Sequence, residues 1–130
     1  MAKICVIEDD EGIREIVRDL LADEGYEVVV ASNGLEGRAI LEASTEPLIA
    51  ILDYRLPILD GCDLLEIVAR DERLRARHTF IMMSASPQKT AEDCEEALDD
   101  LDVPVVSKPF DIDDLVEAVR EAGQRLEPAV

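Results

Sequence analysis

The pattern of apolar and polar positions along the chain predicts five strands separated by helices. The clearest strand is the run of five aliphatic residues at 48–52, which lacks the polar alternation of a half-exposed strand. Such a run is typical of a strand covered on both faces in a parallel sheet. Further strands are predicted at residues 3–7, 27–31, 79–83 and 103–107. The pattern therefore favours a sheet sandwiched between helices.

Apolar residues at helical spacing predict an amphipathic helix after the first strand. The spacing i, i+3, i+4, i+7 and i+8 is met by Ile13, Ile16, Val17, Leu20 and Leu21. Gly25 is expected to end that helix, and one helix is predicted after each of the other four strands. Five strands alternating with five helices indicate an α/β fold with a doubly wound parallel sheet, in the flavodoxin-like strand order 2-1-3-4-5.

Length and composition favour one compact domain. The chain has 130 residues, 48% of them hydrophobic, without a linker or low-complexity tract. We expect one domain over residues 1–126 and a short tail over residues 127–130. The first residues lack the apolar stretch of a signal peptide, so a cytoplasmic location is expected. The three cysteines are far apart and lack metal or redox spacing, and we expect them to be reduced and buried.

The balance of charge excludes several classes of partner. The chain carries 31 acidic against 13 basic residues, a formal net charge of −18. Phosphate backbones need a basic footprint and anionic membranes attract basic segments, so we predict neither direct nucleic-acid binding nor membrane binding. His78, the single histidine, has no partner pattern that suggests catalysis, and we expect it at the surface or at an edge.

Polar residues follow the predicted strands at the edge where such a sheet binds ligands. The first strand runs into four consecutive acids at 8–11, the third ends at Asp53, the fourth stops at Ser84, and the fifth runs into Lys108. The side chains predicted to converge are those of Asp9, Asp10, Asp53, Ser84 and Lys108. Two simpler roles stay open, because acids at a helix start suit its dipole and Asp53 could merely open an acidic loop.

This set of side chains predicts a metal-assisted phosphoryl chemistry. Like charges about 4 Å apart repel by roughly 4 kcal/mol at an effective dielectric near 20, so three crowded carboxylates need a cation. Hard oxygen ligands with room for water favour Mg²⁺. An aspartate beside such a metal can attack a phosphoryl group, while a hydroxyl and an ammonium group stabilise the charge on the transferred oxygens.

In this order, the residues resemble the response-regulator receiver domains of two-component signalling, over residues 4–126. The motif Leu56-Pro57-x-x-Asp60-Gly61 is similar to a family loop, and Lys108-Pro109-Phe110 is similar to the family signature before the last helix. The resemblance implies an α/β switch protein in which an aspartate accepts a phosphoryl group with Mg²⁺.

The resemblance also implies a role for each site residue. Asp53 is the phosphoacceptor, and the Mg²⁺ ligands are Asp9, Asp10, Asp53 and the backbone carbonyl of Arg55. Ser84 bonds the phosphoryl group, and Lys108, followed by a cis-forming Pro109, is its salt-bridge partner. The implied donor is a sensor histidine kinase or phosphotransfer protein, and the output is binding of a downstream protein, with dimerisation on phosphorylation as a further option.

Two positions depart from the family pattern, and two other functions stay open. Val105 stands where the family usually has an aromatic switch residue, so the standard aromatic relay is in doubt. Arg55 and Ser86 occupy positions that tune the phosphoryl lifetime in the family. The alternatives are a pseudo-receiver that no longer accepts phosphate and an aspartyl-nucleophile phosphatase. We expect no enzymatic turnover, because Arg55 replaces the second acid of the phosphatase motif.

Overall fold

The computed structural model describes residues 2–126, and its sheet has the predicted architecture. Five parallel strands are hydrogen-bonded in the order 2-1-3-4-5, which confirms the predicted fold class. The strands are β1 (Lys3–Ile7), β2 (Glu27–Ala31), β3 (Leu48–Asp53), β4 (Thr79–Ser84) and β5 (Val105–Ser107).

Helices cover both faces of the sheet. They are α1 (Glu11–Asp23), α2 (Gly34–Ala43), α3 (Gly61–Ala69), α4 (Glu72–Arg77), α5 (Pro87–Asp93), α6 (Glu95–Asp100) and α7 (Ile112–Leu126). Successive residues of a strand point to opposite faces, so the sheet separates two apolar cores. Ile49 and Ile51 of β3 pack with α1 and α7, whereas Ala50 and Leu52 pack with the helices of the other face. Burial on both faces accounts for the unbroken apolar run of β3.

The helix count differs from the prediction, since residues 2–126 contain seven helices rather than five. The predicted third helix ends at Ala69, and α4 follows as a separate helix. Asp71 caps α4, because its carboxylate accepts hydrogen bonds from the backbone N–H groups of Arg73 and Leu74. The buried Leu74 anchors α4 to the core. The charged stretch after α3 is therefore a separate helix with its own cap.

The predicted helix after β4 is likewise divided in two, at Cys94. This residue has φ −117° and ψ 16°, outside helical geometry, and it separates α5 from α6. Cys94 is disulfide-bonded to Cys62 of α3, with their Cα atoms 5.5 Å apart, a separation that a disulfide spans without backbone movement. The expectation of three reduced thiols was therefore wrong for this pair, and Cys5 is the one free cysteine. Sequence spacing could not reveal the pair, because helix packing brings the two residues together.

The disulfide leads to a thiol-counting prediction. In denaturant without reductant, a thiol reagent should label Cys5 alone, and after reduction all three cysteines should react. Closing a loop with a sequence separation of 32 residues restricts the unfolded chain, so reduction should lower the free energy of unfolding by about 4 kcal/mol. Mass spectrometry after alkylation and urea unfolding measure the two effects. Three reactive thiols before reduction would contradict the pairing.

His78 is buried, and the expectation of a surface or edge position was wrong. Its Nδ1 accepts the backbone N–H of Leu48 at 3.0 Å, and its Nε2 lies 3.0 Å from the carbonyl oxygen of Leu41. This pairing fits the neutral ring with the proton on Nε2. Burial lowers the pKa of His78, against the opposing effect of the hydrogen bond to Leu41. The histidine is a structural link between α2, β3 and β4.

Two further expectations concern the ends of the chain and its environment. The predicted domain over residues 1–126 stays a prediction, and the predicted tail at 127–130 lies outside the described residues. Among the helices described here, none combines the length and apolar character that crossing a bilayer requires.

Candidate functional site

Strand β3 delivers Asp53 to the carboxyl edge of the sheet. Asp53 is the last residue of β3, opposite Met83 of β4, and the residue is only 8% exposed. The loop after it folds back closely, since Gly61 donates its N–H to the carbonyl of Tyr54 at 3.0 Å. A Cβ atom at Gly61 would lie 2.5 Å from the carbonyl oxygen of Asp53, so this loop path requires glycine. The backbone thus holds the acceptor candidate in a fixed position.

Strand β1 brings two more carboxylates beside Asp53, those of Glu8 and Asp9. Ile7 pairs with Leu52 of β3, so the next residue, Glu8, follows β1 directly beside the end of β3. One carboxylate oxygen each of Glu8, Asp9 and Asp53 lies within 4.8 Å of the other two. We call these residues the carboxylate cluster. Glu8 is fully buried and Asp9 is exposed, so the cluster reaches from the core to solvent.

Lys108 supplies the positive charge of the site, as predicted. It follows β5, and its backbone N–H donates to the carbonyl of Ser84 at 2.8 Å. Its Nζ lies 2.8 Å from Glu8 Oε1 and 2.8 Å from Asp53 Oδ2, bridging the two buried carboxylates. The following peptide bond, Lys108–Pro109, is cis, as the resemblance implied. The structure therefore joins Lys108 directly to Asp53.

The charges of this bridge shift the pKa values of its members. Burial, together with the hydrogen bond to Asp53, raises the pKa of Glu8 to about 7, although Lys108 opposes the shift. Burial tends to lower the pKa of Lys108, but its hydrogen bonds to Asp53 and Glu8 prevail, so that pKa is raised. Lys108 thus stays protonated, and Glu8 titrates near neutral pH.

The structure does not bring Asp10 into the carboxylate cluster, and Glu8 occupies the position that was predicted for Asp10. Asp10 is the N-cap residue of α1, and its exposed carboxylate accepts the backbone N–H of Ile13 at 3.0 Å. A carboxylate in this position is held by the free N–H groups of the first helical turn. The simpler role, at a helix start, thus applies to Asp10. The signal for Glu8 was its position directly after the last residue of β1.

Ser84 lies at the end of β4, and it is hydrogen-bonded within its own loop. The residue is 1% exposed, and its Oγ accepts the backbone N–H of Ser86 at 2.9 Å. The hydroxyl of Thr90, on α5, lies 2.7 Å from Ser84 Oγ. In the described part of the chain no hydrogen bond joins Ser84 to Asp53. The sequence alone does not single out Thr90, because one hydroxyl on a helix forms no motif.

The mouth of the site is a cleft of about 470 Å³ with cationic side chains along its rim. Arg55 is exposed, its N–H donates to Asp53 Oδ1 at 3.3 Å, and its guanidinium lies 5.9 Å from the centre of the Tyr54 ring. The hydroxyl of Tyr54 donates to the carboxylate of Asp93 on α5. Lys89 pairs with the same carboxylate at 3.3 Å. The rim therefore couples the loop after β3 to the helix after β4.

The residues of the carboxylate cluster fit a Mg²⁺ ion. Three carboxylates converge, and Mg²⁺ is bound through oxygen ligands. Glu8 Oε2 is a buried oxygen with no hydrogen-bond partner among residues 2–126. A buried acceptor without a donor is costly, and a cation or its water would satisfy it. The cluster is thus compatible with Mg²⁺ binding through Asp9, Asp53 and Glu8, and the carbonyl of Arg55 stays a predicted further ligand.

The raised pKa of Glu8 predicts a pH dependence of stability in the absence of divalent metal. Between its ordinary value of 4.5 and about 7, folded Glu8 holds more proton than unfolded Glu8 does. The free energy of unfolding should therefore fall as pH rises through this window, by on the order of 3 kcal/mol. Urea unfolding at the two ends of the window, with a chelator present, measures the loss.

A matched pair of variants assigns this pH dependence. Glu8→Gln should remove most of the loss, whereas Glu15→Gln, at an exposed position on α1, should leave it in place. An equal loss of stability in both variants would rule out Glu8 as its source.

Comparison with known proteins relates most of the chain to one family. A sequence model of the family described as "Response regulator receiver domain" matches residues 4–120. The chain is 30% identical over 122 residues to sporulation initiation phosphotransferase F of Bacillus subtilis, covering 92% of this chain and 91% of that protein. It is 32% identical over 125 residues to the DNA-binding dual master transcriptional regulator RpaA of Synechocystis, covering 96% of this chain and 50% of that protein.

Solved structures of response regulators superpose on this chain over nearly its whole length. The receiver domain of the Francisella response regulator 1452 superposes with a TM-score of 0.82 at 26% identity, over 98% of this chain and 100% of the other. The response regulator TrrA of Thermotoga maritima, in complex with Mg²⁺ and BeF, superposes with a TM-score of 0.77 at 26% identity, over 94% of this chain and 99% of the other. The chain spans about half the length of the Synechocystis regulator that it matches.

Proposed function

The chain belongs to the response regulator receiver domain family of two-component systems, and from that premise we propose that it is a phosphoryl-accepting switch in a two-component phosphorelay. Asp53 takes the phosphoryl group from a phosphohistidine, and the change at the site alters a surface that binds a partner protein. The observation that carries the proposal is the position of Lys108 Nζ, 2.8 Å from the carboxylate of Asp53 inside the carboxylate cluster.

Asp53 is the nucleophile in the proposed reaction. One of its carboxylate oxygens bonds to phosphorus while the phosphorus–nitrogen bond of the donor breaks, and the electron pair stays on the imidazole nitrogen. The oxygen Oδ1 accepts the backbone N–H of Arg55 at 3.3 Å, and Oδ2 is held by Lys108. This arrangement supports attack by a carboxylate that is oriented before the donor arrives.

Lys108 and Ser84 stabilise the product. The ammonium group of Lys108 is within reach of a phosphoryl oxygen formed on Asp53, and it keeps its charge there. Ser84, at the end of β4, donates a hydrogen bond from its hydroxyl to another phosphoryl oxygen, after its hydrogen bonds within the loop have broken. These two bonds to a charged group contribute roughly 1.5 to 3 kcal/mol each, enough to shift a two-state equilibrium substantially.

The metal ligands in this proposal are Asp9, Asp53 and the backbone carbonyl of Arg55, with Glu8 as the additional buried carboxylate. When bound, Mg²⁺ would neutralise charge on the oxygens of the phosphoryl group. Glu8 and Asp9 hold the negative charge that makes the pocket selective for a cation, and Lys108 balances the two buried carboxylates.

The proposed donor is a sensor histidine kinase or phosphotransfer protein in the cytoplasm. An apolar cleft of about 580 Å³ beside Lys108 supports docking of a protein there, with Ile16 57% exposed on α1 and Ile112 51% exposed on α7. The net charge of −18 supports protein partners rather than nucleic acid or anionic membrane. The output is binding of a downstream protein, which dimerisation on phosphorylation could accompany.

Labelling with acetyl phosphate and Mg²⁺ tests this function. We expect stoichiometric phosphorylation, followed by slow loss, because Arg55 stands two residues after Asp53, where the phosphatase motif has its second acid. Intact-mass spectrometry measures the label, and released phosphate measures turnover. Sustained release of many phosphates per chain would indicate a phosphatase instead. The absence of label, with the fold intact, would indicate a pseudo-receiver.

The Arg55 side chain gives a prediction for the lifetime of the label. Its guanidinium stands at the mouth of the site over Tyr54, where it could shield the phosphoryl group from water. Arg55→Ala should therefore speed loss of the label several-fold without changing Mg²⁺ affinity. Decay rates within about a factor of two of the unmodified chain, roughly 0.4 kcal/mol in barrier, would reject the shielding role. Arg38→Ala, at a residue whose side chain pairs with Glu42 on α2, is the control.

A further inference from the structure

The Ser84 hydroxyl belongs to a small buried hydrogen-bond network that includes Thr90, a residue to which the family resemblance gives no role. Thr90 on α5 is fully buried, and its Oγ1 lies 2.7 Å from Ser84 Oγ and 3.0 Å from the carbonyl oxygen of Ser86. Ser84 Oγ also accepts the backbone N–H of Ser86 at 2.9 Å. Two hydroxyl groups, one N–H and one carbonyl therefore share hydrogen bonds at a largely buried position.

Counting protons leaves this network two arrangements, because each hydroxyl has one proton to donate. In the first, Thr90 donates to the carbonyl of Ser86, and Ser84 can donate to Thr90, so the Ser84 proton is held inside the loop. In the second, Thr90 donates to Ser84 Oγ. Ser84 then accepts two hydrogen bonds, and its own proton is free for an acceptor outside the loop.

We propose that Thr90 is a positioning residue that directs the Ser84 proton toward a phosphoryl group on Asp53. The resting protein has the first arrangement. When the phosphoryl group forms, the Thr90 hydroxyl rotates from the Ser86 carbonyl to Ser84 Oγ, and Ser84 donates to a phosphoryl oxygen. Each proton stays on its own oxygen, so only hydrogen bonds change. This inference rests on the proposed function of Asp53.

The backbone keeps the free-energy cost of this rotation small. The carbonyl of Ser86 also accepts the backbone N–H of Thr90 at 3.0 Å, so it keeps a donor when the Thr90 hydroxyl turns away. The second arrangement leaves each of these groups with a partner once the phosphoryl oxygen is present. A hydroxyl that accepts two hydrogen bonds is also a stronger donor, because hydrogen bonds in a chain polarise one another.

Thr90 links this hydrogen-bond network to helix α5 and to surface residues that contact it. Thr90 lies in the middle of α5, the helix that is coupled through Asp93 to Tyr54 beside the acceptor. A change in the Thr90 hydrogen bonds therefore acts on the same helix that the loop after β3 contacts. The half-buried Val105 lacks the aromatic group of the usual relay, so this helix is the element that Ser84 can influence directly.

Binding of fluoroberyllate in the presence of Mg²⁺ tests the role of Thr90, since this anion imitates the phosphoryl group. Thr90→Val removes the hydroxyl and keeps the side-chain shape, and it should weaken fluoroberyllate binding about tenfold, measured by calorimetry. Mg²⁺ affinity should not change. Thr90→Ser should restore binding. Thr79→Val is the control, because the Thr79 hydroxyl donates to the carbonyl of Ala122 at 3.3 Å, on the α7 side.

A double-mutant cycle separates positioning from a general effect on folding. If Thr90 acts through Ser84, Thr90→Val should add nothing to the loss caused by Ser84→Ala. Additive losses, or unchanged fluoroberyllate binding in Thr90→Val, would overturn the inference. If Thr90→Val does not fold, Thr90→Ala removes the same hydroxyl at lower cost to the helix and takes its place in the cycle.

The unmodified chain provides the remaining comparison. Fluoroberyllate binding by the unmodified chain together with equal binding by Thr90→Val would overturn the role of Thr90 and leave the proposed function intact. No binding by the unmodified chain, and no labelling by acetyl phosphate, would overturn the proposed function and this inference together.

Discussion

Asp53→Asn should abolish phosphorylation of the chain by acetyl phosphate. The amide keeps the size and hydrogen-bonding shape of the carboxylate, but it is not a nucleophile at neutral pH, so no acyl phosphate can form. The loss should be complete rather than partial, because among the described residues only the fully buried Glu8 shares the 2.8 Å contact with Lys108. Intact-mass spectrometry after incubation with acetyl phosphate and Mg²⁺ measures the label.

The matched control for this variant is Asp60→Asn, at the far end of the loop after β3. Asp60 is an exposed N-cap of α3, its carboxylate accepts the N–H of Asp63 at 2.9 Å, and asparagine caps helices equally well. Asp60→Asn should therefore be labelled like the unmodified chain. Label that persists in Asp53→Asn and is lost in Asp60→Asn would move the acceptor to Asp60.

Asp9→Asn should weaken Mg²⁺ binding about tenfold or more, whereas Asp10→Asn should change it by no more than about twofold. Both variants remove one charge and keep the side-chain shape, so the difference between them isolates coordination from general electrostatics. Asp9 lies in the carboxylate cluster, and Asp10 caps α1 through Ile13. Titration with Mg²⁺, followed by amide NMR shifts, measures both affinities.

Urea unfolding of Asp10→Asn provides a stability control for this comparison. Asparagine is as good an N-cap as aspartate, so Asp10→Asn should keep α1 intact and unfold at nearly the same urea concentration as the unmodified chain. A loss of Mg²⁺ affinity in Asp10→Asn that equals or exceeds the loss in Asp9→Asn would return Asp10 to the metal site. It would also show that the side chain leaves its cap when the metal binds.

The fold could be predicted because its strongest signals are local. Residues 48–53 are all buried, and an aliphatic run of this kind is too short for a typical helix and too apolar for an exposed loop. The proximity of Asp53 and Lys108 could be predicted for the same reason, since each follows or ends a strand whose end is well defined. Two parallel strands that end at one edge bring these side chains together without further information.

The remaining features depend on boundaries and on contacts distant in sequence. Four consecutive acids follow β1, and a shift of one residue in the helix start decides whether Glu8 or Asp10 faces the pocket. The partners of His78 lie 30 and 37 residues away, and they are backbone groups that have no sequence signature. The pairing of Cys62 with Cys94 arises from the packing of α3 against the junction of α5 and α6. The local pattern of apolar and polar residues does not determine these boundaries or these distant contacts.

The most direct test of the central claim is to locate the phosphoryl group on the chain. Acyl phosphates are reduced by borohydride, so treating the labelled protein with borohydride and mapping its peptides identifies the acceptor residue. The account predicts conversion of Asp53 alone, in proportion to the label and dependent on Mg²⁺. Conversion at Asp9, Asp10 or Glu8, or a stable label that borohydride does not reduce, would contradict the assignment of Asp53 as the phosphoacceptor.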